Sequence, residues 1–256
     1  MLTDSFFNTN QNFFNPEYLK NFNDLTPSVK QHLTKVYLTL SCMLAATSFG
    51  VWLNLSKNYY LSPGFSVLLT LASCLGLLFT SNRPDTSSLR QGLLLAFSVC
   101  EGFALSPLIN LAINIDQKLL LIASTSTFIV FSSFTLSSMF TQRRSYLYLG
   151  GVLGSATFVL FWISLANSFL HYKGLFTIEL YGGLLVFSLY VLYDTQKIIE
   201  QANQGYKGVI NHALTLFSDF ISIFVRILII LIKKNQENER KKDRRERRQT
   251  GGYSAY

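Results

Sequence analysis

Two aspartates carry the chemistry for which this sequence can be read. Asp219 sits in the middle of an apolar run, Val209 to Ile232, that also holds His212, Thr215, Ser222 and Arg226. These five polar positions are spaced three, four, three and four apart, so on an α-helix they fall on one stripe. A charge in hydrocarbon is costly unless it is paired or wetted, and the stripe must therefore face protein or water. Asp194 lies near the end of the preceding apolar run, and a linker of about ten residues makes the two helices antiparallel neighbours. Two carboxyls in contact at low dielectric cannot both ionise cheaply and should share one proton. That arrangement is a proton sensor; once ionised, it offers carboxylate oxygens to a cation such as Ca²⁺ in transit. Arg226, about 10 Å further along the axis, would make the set neutral with the proton held and negative without it. The same residues also fit a plain structural pair that only fixes helix packing.

The other candidates are less specific. Glu101 falls mid-run between Gln91 and Ala112 and suits either a pore lining or a bond to a neighbouring helix. His212 reads as a packed interfacial histidine, and with no second histidine near it in the sequence a metal site is not expected. Cys42, Cys74 and Cys100 all lie inside apolar runs, as buried reduced thiols do. A C-terminal cluster follows: Lys233, Lys234, Arg240, Lys241, Lys242, Arg244, Arg245, Arg247 and Arg248. It reads as a solvated, disordered tail attracted to anionic lipid heads rather than to nucleic acid. Two carboxylates on adjacent membrane helices also suggest an intramembrane aspartyl protease. Here Leu216-Phe217-Ser218 precedes the second aspartate in place of glycines, and all five prolines come before residue 108. An enzyme is not expected.

The elements that must position these groups are membrane helices. Hydrophobic residues make up 49% of the 256-residue chain against 14% charged, and they come in seven runs rather than in alternation. Runs of roughly 20 residues match a hydrocarbon core of about 30 Å. They span about 26–55, 64–80, 91–112, 119–140, 146–169, 176–199 and 209–232. The fold class is thus all-α, a seven-helix membrane bundle with a central polar seventh helix. Residues 1–25, Asn-rich and aromatic, form an N-terminal segment without the features of a cleaved signal peptide. The membrane domain covers 26–232, and the basic tail 233–256. Thr26-Pro27 reads as a hydroxyl cap followed by proline at the first helical position. The loop charges Arg83, Arg90, Arg143, Arg144, Lys197 and Lys207 argue for a cytosolic N-terminus. The tail, with nine basic residues, argues for the cytosol as well. Seven full crossings cannot satisfy both, so either the last segment re-enters or the tail breaks the rule.

Five ordered segments resemble the Bax inhibitor-1 family and its eukaryotic endoplasmic-reticulum members. They are L-T-P-S-V-K-Q-H-L-T-K-V-Y (25–37), E-G-F-A-L-S-P-L-I (101–109), Q-R-R-S-Y-L-Y-L-G-G (142–151), Y-D-T-Q-K-I-I-E (193–200) and H-A-L-T-L-F-S-D-F-I-S-I-F-V-R-I-L (212–228). Glu101 followed by glycine is nearer the plant-type members. The resemblance implies six helices around a central polar one, in the endoplasmic reticulum membrane. It implies a pH-sensitive calcium leak gated by Asp194 and Asp219, and suppression of stress-induced cell death. An arginine near the end of the second helix engages the pair in bacterial members; Arg83 is the candidate by position, with Arg226 as a substitute. No bound cofactor is implied, Ca²⁺ being the permeant ion. Expected partners are membrane lipids, cell-death regulators and other calcium channels, with the protein a monomer or homo-oligomer. The rival reading is a non-conducting scaffold that restrains cell death by binding other membrane proteins.

Overall fold

The computed structural model describes residues 26–56, 63–80, 87–140, 149–170, 172–206 and 208–251. In chain order its helices are α1 (Pro27–Leu55), α2 (Pro63–Phe79), α3 (Ser87–Ile115), α4 (Gln117–Phe140), α5 (Leu149–Leu170), α6 (Lys173–Asn203) and α7 (Val209–Gly251). Six of them are long and apolar enough to cross a membrane, while α2 has only the shorter apolar stretch Gly64–Leu77. The lateral surface carries large apolar side chains such as Phe128, Phe158, Phe161 and Trp162. So much exposed hydrocarbon suits a bilayer rather than water. The chain is a multi-pass helical membrane protein.

Pro27 opens α1 as expected, but the Thr26 hydroxyl makes no capping bond. The Thr26 carbonyl instead accepts from the Val29 and Lys30 amides at 2.9 and 3.1 Å. The first helix then packs on α3 at very short range. A Cβ on Gly50 would run into the Val99 carbonyl, and one on Gly102 into the Thr47 carbonyl, with the Val51 nitrogen only 2.9 Å away. Across this crossing Thr47 Oγ1 donates to the Ser98 carbonyl at 2.9 Å. Small residues that let backbones meet are a standard device of helix contact in lipid.

Around that pair the others assemble in order. α2 lies on α3, α5 on α6, and α7 packs against α1, α3, α4 and α6. Its Leu216, Phe217, Ile223 and Leu228 are almost wholly buried. The return from α6 to α7 is tight and turns on Gly205, whose φ of 90° belongs to the left-handed region that favours glycine. α7 then runs antiparallel to α6 as far as Lys233. Its first turn meets the end of α6, where His212 bonds Gln201. Two dozen residues later, Lys233 Nζ donates to Thr177 Oγ1 near the start of α6 at 2.9 Å. No re-entrant break interrupts it. The start of α1 and the basic tail therefore emerge at opposite ends of the bundle, and a tail in the cytosol puts the start of α1 on the other side.

The disordered tail expected from composition is instead a continuation of α7 to Gly251. Lys, Arg, Glu and Gln are good helix formers, and the membrane segment supplies the nucleus that an isolated peptide lacks. An exposed i,i+3 pair, Lys242 with Glu239 at 2.7 Å, decorates this extension. Glycine 251 is the first glycine after Val209, and no proline precedes it in that stretch.

Candidate functional site

The polar stripe of α7 faces α6 in a heptad register. Stepping seven residues along α7 and seven back along α6 pairs His212 with Gln201, Asp219 with Asp194 and Arg226 with Phe187. A strict seven-residue repeat on both helices keeps one seam facing the partner, as in a coiled coil. The sequence places a polar group at each rung of it.

At the middle rung Asp194 and Asp219 lie close enough for their carboxyls to act on each other. Their residues are 6% and 5% exposed. Two carboxyls so placed can share a hydrogen bond only when one of them carries a proton, since a carboxylate only accepts. Asp219 Oδ2 is buried and, among the described residues, has no hydrogen-bond partner. Asp194 reaches toward the outside along a polar cleft of about 250 Å³. Lys197, Gln201, Tyr206, Asn211, His212 and Thr215 also line this cleft. Thr215 and the flanking Ser222 thus border the site rather than enter the contact.

Arg226 is not brought to the pair. Its guanidinium stacks over the Phe187 ring, 4.3 Å from the centroid, and donates to the Ser222 carbonyl at 3.0 Å. Glycine 183 makes the space, because a Cβ there would overlap the Arg226 Nε. Glu179 lies within electrostatic reach of the same cation. The aromatic face and the missing side chain on α6 draw the arginine away from Asp219. Arg83 lies outside the described residues. Glu101 is half-buried at the middle of α3 and, among the described residues, has no hydrogen-bond partner. Described side chains include no cluster of three His, Cys, Asp or Glu that could hold a metal ion.

A second histidine does stand beside His212, contrary to expectation. It is His32 of α1, separated by 180 residues in sequence, with Nε2 at 2.9 Å from His212 Nδ1. His212 Nε2 lies 2.9 Å from Gln201 Oε1. The amide oxygen only accepts, so His212 carries its proton on Nε2 and accepts at Nδ1 from His32 Nε2–H. Both rings are nearly inaccessible, and the chain ties α1, α7 and α6 together at the mouth of the cleft. His212→Phe should lower the melting temperature in detergent by several degrees, since it removes the bonds to His32 and Gln201, each contributing about 0.5–1.5 kcal/mol. His32→Phe combined with it should cost less than the sum of the two, and strict additivity would show that the bond contributes nothing.

Arg90 was also placed wrongly by the sequence, as a loop charge. It lies in the first turn of α3 and is 3% exposed. Nη1 donates to the Thr80 carbonyl at 3.1 Å, just past the end of α2, and Nη2 to Asn211 Oδ1 at 2.6 Å. The carbonyl end of a helix favours a cation. Asn211 in turn donates to the Tyr206 hydroxyl at 3.1 Å, so Arg90 braces the wall of the Asp194 cleft.

Comparison with known proteins places this geometry in context. Residues 29–236 match the model of a family described as "Inhibitor of apoptosis-promoting Bax1". A rice protein named "Bax inhibitor 1" is 42% identical over 231 residues, covering 88% of this chain and 90% of its own. The Arabidopsis thaliana protein of that name is 42% identical over 86% of this chain and 88% of its own. The human one is 35% identical over 89% of this chain and 96% of its own.

Proposed function

This chain belongs to the family of inhibitors of apoptosis-promoting Bax1, and on that premise we propose that it suppresses cell death from the endoplasmic reticulum membrane by acting as a proton-modulated Ca²⁺ leak. One observation carries the reading, the contact between Asp194 and Asp219 across the α6–α7 seam. With one proton shared, the two acids hold α7 against α6 and the path is closed. When the proton leaves, two like charges in low dielectric repel. The seam loosens and carboxylate oxygens, Asp219 Oδ2 among them, face the space between the helices. A hard cation that prefers oxygen can then use them as a transient site. The proton reaches Asp194 through the cleft at the α6–α7 turn. Lowering the resting calcium store is what restrains cell death.

Purified protein alone in calcium-loaded liposomes tests this. Efflux should rise with pH, and liposomes whose efflux matches protein-free controls at every pH would sink the leak. The scaffold reading has its own support in the basic helix that projects beyond the bundle, from Lys234 to Arg245. Such a surface attracts anionic lipid heads or acidic segments of other membrane proteins. Truncation after Asn235 separates the two readings. A leak predicts efflux largely retained, whereas a scaffold predicts cell protection abolished by truncation and untouched by Asp194→Asn.

A further inference from the structure

On the far side of the bundle, α1 and α4 both pack on α7 but have no extensive contact with each other. The gap between them is a groove of about 380 Å³, within the range of roughly 300–1,000 Å³ usual for small-molecule sites. Tyr37 and Leu40 form one wall, Phe128, Thr135 and Met139 the other, and Phe220 of α7 lies at its floor. No charged side chain among the described residues lines it. Its flanking helices both qualify as membrane spans, and Phe128 on its rim is 64% exposed. The medium at its mouth is therefore hydrocarbon rather than water. An apolar slot left empty would forfeit the dispersion contacts of its lining.

We propose that this groove is a binding site for one acyl chain of a membrane lipid. The absence of lining charge argues for the chain and against a phosphate or other ionic head. The hydroxyls at the inner wall are neutral and carry no charge that would call for an ionic head. Tyr37 and Thr135 line it and Thr195 stands behind Tyr37, and among the described residues none of these three buried hydroxyls completes a well-formed hydrogen bond. The position of the site gives it a consequence. Phe220, packed edge-on against Phe131 at 5.4 Å between centroids, is the residue after Asp219. Tyr37 meets Thr195, the residue after Asp194. A chain in the groove thus bears on α7 at the level of Asp219 and braces it from behind, with only Tyr37 between it and Thr195 of α6. That bracing role rests on the gating reading above; occupancy itself does not.

Photo-crosslinking decides occupancy without any flux measurement. The full chain is placed in nanodiscs containing phosphatidylcholine with a diazirine near the middle of one acyl chain, and adducts are mapped by mass spectrometry. Adducts on Tyr37, Leu40, Met139 and Phe220 should be severalfold denser than on the open lipid face of α5 at Phe158 and Phe161. Ser132→Trp, which fills the groove from its rim, should reduce them to the α5 level while leaving α5 labelling unchanged. Equal density at the groove and on α5 in the native chain overturns the site. So does groove labelling that survives Ser132→Trp, or labelling there that is the same when the probe's diazirine sits in the headgroup. If the site stands and liposomes show no leak, the gating reading fails alone.

Discussion

Asp219→Asn is expected to give a protein whose calcium efflux no longer follows pH. The substituted amide can donate permanently to the Asp194 carboxylate, as a protonated acid does, so the α6–α7 contact persists at every pH. A gate that turns on a single proton changes by at most about tenfold per pH unit across its titration. The native ratio of efflux at two pH values one unit apart should therefore fall from as much as roughly tenfold to about one. Efflux at alkaline pH should drop to the level the native chain shows in acid. Asp194→Asn should behave alike, because the contact is reciprocal. Glu101→Gln should leave the pH response in place, since Glu101 is not brought to the pair. An Asp219→Asn protein with native efflux and native pH response would remove the aspartate contact from the mechanism. A uniformly leaky one would mean that the contact holds the path shut but not through its proton.

How much of this was legible beforehand divides along the range of the interaction. The seven helices could be read because membrane thickness imposes a run length that needs no partner to recognise. That α6 and α7 are antiparallel neighbours could be read from the short turn between them, and the stripe period pointed to the face of α7 that meets α6. The His32–His212 bond could not. It joins α1 to α7 over 180 residues, and a histidine on an amphipathic first turn carries no local mark of its partner. Arg226 was misjudged for a related reason. Its sequence neighbourhood names Asp219, but the glycine at 183 and the ring at 187 that hold it are on another helix. A cue did exist there, since Gly182-Gly183 opens space on α6 that a long side chain on α7 can fill. Arg90 looked like a loop charge because helix α3 starts before its apolar run does, a shift of one turn that hydropathy alone does not register.

The largest structural effect should come from Gly102. Its missing side chain is what lets α3 approach α1, for a Cβ would collide with the Thr47 carbonyl and approach the Val51 nitrogen to 2.9 Å. These are backbone atoms in two long helices, so no side-chain rotation can relieve the clash. Gly102→Val must push α1 and α3 apart, and the Thr47 Oγ1 bond to the Ser98 carbonyl goes with the separation. Overpacking typically costs about 1–3 kcal/mol where side chains can yield, and here they cannot. A fall in melting temperature of roughly 5–10 °C, or loss of a monodisperse peak by size exclusion in detergent, is the expected outcome. Gly151→Val is the control, because a Cβ at that position meets nothing within 4 Å. Its melting temperature should stay within about 2 °C of the native chain, the range expected for a surface change. Equal behaviour of the two variants would show that α1 and α3 are further apart than this crossing requires. The comparison also bears on function, since α1 supplies both His32 at the mouth of the Asp194 cleft and Tyr37 behind it. Gly50→Ala, milder in volume but aimed at the Val99 carbonyl from the other helix, should reproduce part of the Gly102→Val loss. A graded response across the two positions would locate the effect in the crossing itself rather than in either helix alone.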